Sequence, residues 1–229
     1  RQGGMSLTYA TLATLIKYPY PSYNNKNKKK YNFFYSEKET FRKVMQGCNI
    51  PCLDEKSLYY ARHPLSYMME AADDICYLIL DMEDAHKRGI VVTEKIDYFF
   101  TSFFNENEEW FFDRKDEVFK IVTDDNERMA FLRATVINKL VDCVANVFID
   151  HYDKIMVGEF DNNLVSHLPE FENDSLAKCR EFSLKNIYKH PSVVKVELTG
   201  FNVIGELIND FVQAIIHSEK TYNKKLLSI

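Results

Sequence analysis

The segment from Pro64 to Gly89 constrains the fold of this chain more than any other. Met68, Ala72, Ile75, Ile79 and Met82 recur along it at helical spacing. Pro64 stands in the first turn, Lys87 and Arg88 stand in the last, and Gly89 follows as a stop. Start and stop signals therefore agree on one long helix. An apolar stripe of that length needs other elements to cover it, and the remaining sequence repeats the same spacing.

Leu7, Leu12, Leu15 and Ile16 predict a short helix that closes at Tyr18-Pro19-Tyr20-Pro21. Residues 22 to 32, rich in Asn and Lys, read as an exposed loop. Ser36 with Glu39 three residues later forms a capping-box signature for a helix through about Gln46. Thr93 is placed to cap a helix running to Phe104, and Met129, Leu132, Val136, Leu140, Val144 and Phe148 mark a long helix from Asp125 to Ile155. Two more helices are expected near 174 to 189 and 201 to 217. Between them Val194, Val196 and Leu198 alternate with Lys195 and Glu197, which leaves a short extended segment near 193–199 and a helix start both open. No repeat or Pro-rich linker divides the chain, so the expected fold class is all-α, one mostly helical domain over residues 1–229.

Composition narrows the setting. With 46% hydrophobic and 14% aromatic residues the chain can bury a sizeable core. No run of about 18 uncharged apolar residues predicts a membrane-spanning helix. Arg1-Gln2-Gly3-Gly4 lacks both an initiator methionine and an apolar leader, so a cytoplasmic fragment of a longer reading frame is expected. The five cysteines, Cys48, Cys52, Cys76, Cys143 and Cys179, show no paired CxxC spacing and are expected as reduced thiols. Cys48 and Cys52 lack a second ligand pair for zinc. A net charge of −5 argues against a chain-wide nucleic-acid surface, although Lys26, Lys28, Lys29 and Lys30 form one basic run where single-stranded DNA could bind.

Within the long helix, Asp73, Tyr77 and Asp81 are spaced i, i+4 and i+8 and so share one stripe. Glu70 and Asp74 lie close by, and Ala71 and Ala72 leave room for an approaching ligand. Such accumulated carboxylates suit a divalent cation. They equally suit a solvated helix face, with Asp84 and Arg88 paired at i, i+4 and Tyr77 filling core. The six histidines contain no HxxxH or His-Asp dipeptide, so the chain does not complete a histidine-rich metal site locally.

Arg62-His63-Pro64-Leu65-Ser66-Tyr67-Met68-Met69-Glu70-Ala71-Ala72-Asp73-Asp74-Ile75-Cys76-Tyr77 resembles the signature segment of bacterial dGTPase-type triphosphohydrolases of the HD superfamily. The likeness continues through Asp81-Met82-Glu83-Asp84-Ala85 and Gly89-Ile90-Val91. It also takes in Leu7-Thr8-Tyr9-Ala10-Thr11-Leu12 and Lys17-Tyr18-Pro19, with fainter echoes at Lys30-Tyr31-Asn32-Phe33-Phe34 and from His190-Pro191 through Glu197, Gly200 and Phe201. The resemblance implies hydrolysis of a deoxynucleoside triphosphate to deoxynucleoside and inorganic triphosphate, assisted by Mg²⁺ or Mn²⁺. It makes Asp73 the final metal ligand. Tyr77 would pack on the deoxyribose and Asp81 would accept its 3′-hydroxyl, while Lys17, Tyr18 and Lys30 would lie by the phosphates. Lys17 also reads as a cation at a helix C-terminus, and Lys30 as part of a solvated loop.

Arg62 and His63 belong to the signature segment but carry no assigned role, because both also suit the start of a helix. The family's histidine and His-Asp ligands precede the Leu-Thr-Tyr-Ala segment. The resemblance therefore implies the C-terminal part of such an enzyme, inactive alone, without an assigned catalytic acid or base, and a homo-oligomer when whole. Two alternatives remain open. One is a non-catalytic helical interaction module with Tyr98–Phe104 and Trp110–Phe112 as oligomer contacts. The other is an HD-type phosphohydrolase for a different nucleotide.

Overall fold

A computed structural model describes residues 5–23, 30–160, 162–219 and 225. Lys26, Lys28 and Lys29 of the basic run lie outside the described residues, and Lys30 lies within them. The regular elements of the described chain are helical apart from a two-stranded antiparallel ribbon, β1 (Cys52–Asp54) and β2 (Tyr59–Tyr60), and an isolated bridge between Pro21 and Phe33.

Helix α1 (Tyr9–Thr14) is capped by Thr8, whose side chain accepts from the Thr11 N–H. Helix α2 (Lys38–Gly47) is entered through a 3₁₀ turn at Tyr35–Glu37. There Glu37 Oε2, not Glu39, reaches back to the Phe34 N–H at 2.9 Å, so the capping contact falls two residues before the expected one. Glu39 instead pairs with Arg42. These elements enclose a small core of Ala13, Phe33, Phe41, Val44, Met45, Ile50 and Tyr60, with Phe33 and Phe41 stacked at 3.9 Å between centroids.

The long helix is α3 (Pro64–Lys87), and it starts and ends as its sequence signals require. His63 caps it by accepting from the Leu65 N–H at 3.2 Å, and Gly89 closes it at φ +68°. Its inner face, Tyr67, Ala71, Ile75, Leu78, Ile79 and Met82, packs on α6 (Asp125–Asp150), which contributes Met129, Leu132, Val136, Leu140, Val144 and Val147. Helix α4 (Thr93–Thr101) adds Ile96 and Phe100 to the same core. Val92 is its N-cap residue, and the Thr93 hydroxyl is engaged elsewhere, with His86 on α3 and Asp125 on α6.

Helix α5 (Glu109–Ile121) gave little periodic signal because Phe111 alone of its residues is buried. A partly buried ammonium anchors its start: Lys139 contacts Glu108 at 2.7 Å and Glu172 at 3.2 Å. The helix expected to run from Asp125 to Ile155 breaks at His151, and α7 (Tyr152–Val157) turns Ile155 into the core. Gly158 then closes α7 at φ +80°, so close to Ala61 that a Cβ there would lie 2.6 Å from the alanine methyl.

Helix α8 (Glu170–Phe182) leads through a π-helical turn, Ser183–Ile187, to the last helix, α9 (Pro191–Ile216). The alternating residues near 193–199 are therefore helical, not extended. His190 caps α9 by accepting from the Ser192 N–H, with Pro191 in the first turn, the same His-Pro start that opens α3. No helix among the described residues is long and apolar enough to cross a membrane.

Of the two aromatic clusters considered as oligomer contacts, Phe100, Phe103, Phe104 and Phe111 are buried, which removes them from any outer surface. Tyr98 and Trp110 remain exposed at their edge. The five cysteines are free thiols, and burial pushes Cys179 up to about 12. Titrating the native protein with a thiol reagent near pH 8 should therefore label exposed Cys52 first and Cys179 only on unfolding. Early labelling of Cys179, read by peptide mass mapping, would contradict this packing.

Candidate functional site

The site is built on the outer face of α3. Asp73 is exposed and makes no hydrogen bond or ion pair among the described residues, so its carboxylate is available to a ligand. One turn on, Tyr77 lies 69% exposed, which rules out the core-filling alternative for it. A further turn on, Asp81 is half-buried, and its Oδ2 accepts a hydrogen bond from the Tyr188 hydroxyl at 2.8 Å.

At the N-terminal end of this stripe sits Glu70, 7% exposed and ionically held on both oxygens. Arg62 Nη1 approaches Oε2 at 2.6 Å and Lys17 Nζ approaches Oε1 at 2.9 Å. Arg62 is fixed in turn: it donates to the Ser66 hydroxyl and carbonyl, and its guanidinium stacks 4.1 Å from the Tyr67 ring centroid. Ser66 also donates to the Ile16 carbonyl, tying α3 to the segment after α1. Arg62 and His63, left without a role by sequence, thus build the start of α3.

Lys17 does not serve the C-terminus of α1; its ammonium goes to Glu70. Burial disfavours that charge, but the hydrogen bond and field of Glu70, with Asp74 added, leave its pKa above the ordinary lysine value. Burial pushes Asp74 above the usual carboxylate range, and Glu70 and Asp73 reinforce it against the fields of Lys17 and Arg180. Two ammonium groups lie near the Tyr18 ring, Lys17 at 5.9 Å and Lys30 at 5.5 Å from its centroid, and Asn32 accepts from the Tyr18 N–H. Lys17, Tyr18 and Lys30 are therefore brought together, at the end of the stripe that carries Asp73.

Beneath Lys17 opens a cleft of about 500 Å³ walled by Tyr20, Tyr59, Tyr67 and Phe160, with Asn162 and Asn163 at its rim. Tyr188 and Arg180, neither singled out by sequence, face the stripe from the far end of α8 and the turn after it. The signal that could have found them is slight, a Tyr-Lys-His-Pro run before a helix start. Among the described residues no three His, Cys, Asp or Glu side chains converge as a metal-ligand set. What Asp73 offers is one free carboxylate, the donor type that hard divalent cations take.

No protein-family model matches the chain. Curated relatives do match. A deoxyguanosinetriphosphate triphosphohydrolase-like protein of Synechocystis sp. is 34% identical over 240 residues, which cover 99% of this chain and 51% of that protein. Proteins of the same name from Listeria monocytogenes and Pseudomonas aeruginosa are 30% and 26% identical, over 94% and 99% of the chain. These names are those of a hydrolase family. Over the stretch that it covers, the chain belongs with the deoxyguanosinetriphosphate triphosphohydrolase-like proteins, and it spans about half the length of the curated relatives it matches.

Replacing Arg62 by Met would leave the Glu70 carboxylate buried with Lys17 alone. Breaking a buried pair in this way should cost about 3 kcal/mol. Chemical denaturation checks this value, and an unchanged midpoint would show that Glu70 does not depend on Arg62.

Proposed function

We propose that this chain supplies one metal ligand and the sugar and phosphate contacts of a metal-dependent deoxynucleoside triphosphate triphosphohydrolase of the HD type. The observation that carries the reading is the open stripe Asp73, Tyr77 and Asp81 on α3, with Lys17, Tyr18 and Lys30 grouped at its end. The names of the relatives support the same class of reaction.

Asp73 would hold a Mg²⁺ or Mn²⁺ ion together with ligands from the rest of the protein, and the ion would supply water activation and phosphoryl polarisation. The exposed Tyr77 ring offers a flat surface to a deoxyribose, and a sugar packed against it would bring a 2′-hydroxyl into conflict with the ring. Asp81 accepts the 3′-hydroxyl. A site that pairs an acceptor with one hydroxyl discriminates against substrates lacking it. Lys17 and Lys30 place ammonium charge where negative charge builds on the departing triphosphate when the bond from the α-phosphorus to the 5′-oxygen breaks. Base preference has no counterpart among these contacts. The presence of five free thiols supports a reducing, cytoplasmic setting.

Incubating the full-length protein with Mn²⁺ and each dNTP, and resolving products by ion exchange, should give deoxynucleoside and inorganic triphosphate. Asp73→Ala should lower turnover by at least about 100-fold, and the 229-residue chain alone should give none. Absence of triphosphate from the intact protein would defeat the reading; release of monophosphate or of a cyclic nucleotide product would redirect it to another HD-type reaction.

One observation favours interaction as a second role. On α9, Phe201, Val203, Ile204, Leu207, Ile208, Phe211, Val212, Ile215 and Ile216 are all exposed, Phe201 at 77%, so apolar side chains cover most of the helix surface with few polar interruptions. A face of this kind suits a second copy of the same helix, so we place the homo-oligomer contact there. Light scattering should report an assembly for the full-length protein and a smaller species for Ile208→Glu. A monomeric wild type would reject the assignment.

A further inference from the structure

Asp81 is held from a distance of 107 residues by the Tyr188 hydroxyl, which donates to Oδ2 at 2.8 Å. A backbone irregularity puts Tyr188 there. After α8 ends at Phe182 the chain makes the π-helical turn Ser183–Ile187, and the Tyr188 N–H donates to the Ser183 carbonyl at 2.9 Å. A π turn holds one residue more than an α turn, so it rotates everything after it by roughly 100° about the helix axis. Without that extra residue Tyr188 would leave the face that meets α3. Such turns are rare and concentrate at functional sites. This one is also locked from inside, because Ser183 and Ile187 are both buried.

The hydrogen bond leaves an asymmetric carboxylate. Oδ2 is occupied, and Oδ1 has no protein partner among the described residues. An aspartate side chain left to itself turns between rotamers and offers either oxygen; one anchored through Oδ2 offers a single acceptor in a fixed direction. We propose that Tyr188 is a positioning residue for the sugar, fixing Asp81 so that Oδ1 alone receives the 3′-hydroxyl of a 2′-deoxynucleotide. The inference rests on the nucleotide reading given above. Tyr188 is half-buried, and burial together with the Asp81 carboxylate drives its phenol well above the ordinary tyrosine range. Its hydroxyl therefore stays protonated, and stays a donor, throughout the neutral range.

The test compares two ligands that differ only at the 3′ position. Full-length wild-type, Tyr188→Phe and Asp81→Ala proteins are assayed for KM and kcat with the fastest-hydrolysed dNTP, and for the inhibition constant of its 2′,3′-dideoxy counterpart. Loss of the phenolic hydroxyl should raise KM for the dNTP about tenfold, one charge-assisted hydrogen bond in magnitude, with kcat little changed. The dideoxy inhibition constant should not move. Asp81→Ala, which removes the acceptor, should bring the two ligands to similar affinity, and adding Tyr188→Phe to it should cost nothing more. Equal weakening of both ligands in Tyr188→Phe would make Tyr188 a packing residue and overturn the proposal, as would an unchanged dNTP KM. If wild type hydrolyses no dNTP at all, the nucleotide reading fails first and takes this inference with it.

Discussion

The buried carboxylate of Glu70 is the constraint on which the arrangement of the site depends. A desolvated carboxylate is tolerated only when it is paired and hydrogen-bonded. Glu70 draws its two cations from different parts of the chain, Arg62 from just before α3 and Lys17 from just after α1. Satisfying one charge therefore docks the N-terminal segment onto α3. Tyr18 follows Lys17 in sequence, and Lys30 stacks on Tyr18, so the cationic end of the stripe is a consequence of the same pairing. Stability and recognition converge on Lys17, which neutralises Glu70 and still stands at the edge of the candidate phosphate contacts.

Local chemistry made α3 readable. Its proline, its basic last turn and its glycine stop each act over a few residues, and Asp73, Tyr77 and Asp81 share a face for the same helical reason. Contacts made over long separations left no such trace. Nothing in one sequence places Tyr188 against Asp81, and a π turn has no reliable local code. The break at His151 was hidden because the residues around it keep helical spacing on both sides. Near Val194 a five-residue alternation competed with a His-Pro helix start. The start signal was the stronger one, as the identical pair before α3 indicates. The resemblance reached the family but not the environment of each residue: it put Lys17 by the phosphates, and local sequence put it at a helix end, yet neither reading held its ion pair with Glu70.

The polar stripe and the apolar α9 are both unburied, and they differ in what that openness means. Apolar side chains exposed along a helix are unfavourable in water and are stabilised when covered. Carboxylates gain nothing from being covered unless a cation comes with the cover. Under the proposed function the two faces would take different partners, an apolar helix for one and a charged ligand for the other.

Charge balance narrows that second partner. Glu70, Asp73, Asp74 and Asp81 stand among Lys17, Lys30, Arg62 and Arg180, four carboxylates against four cations, so the face as a whole carries no surplus of positive charge. Burial is the main cause of the rise of Asp74 above the usual carboxylate range, and the neighbouring Glu70 and Asp73 charges add to it. On the reading proposed above, a bare triphosphate would meet repulsion from Asp73 and Asp74 as well as attraction from Lys17 and Lys30. A divalent cation arriving with the triphosphate would offset that repulsion, with Asp73 as its ligand and Lys17 and Lys30 left for the outer phosphate oxygens. Under the proposed function, the mixture of acidic and basic residues on this face is therefore easier to reconcile with a metal-bound triphosphate than with a bare one.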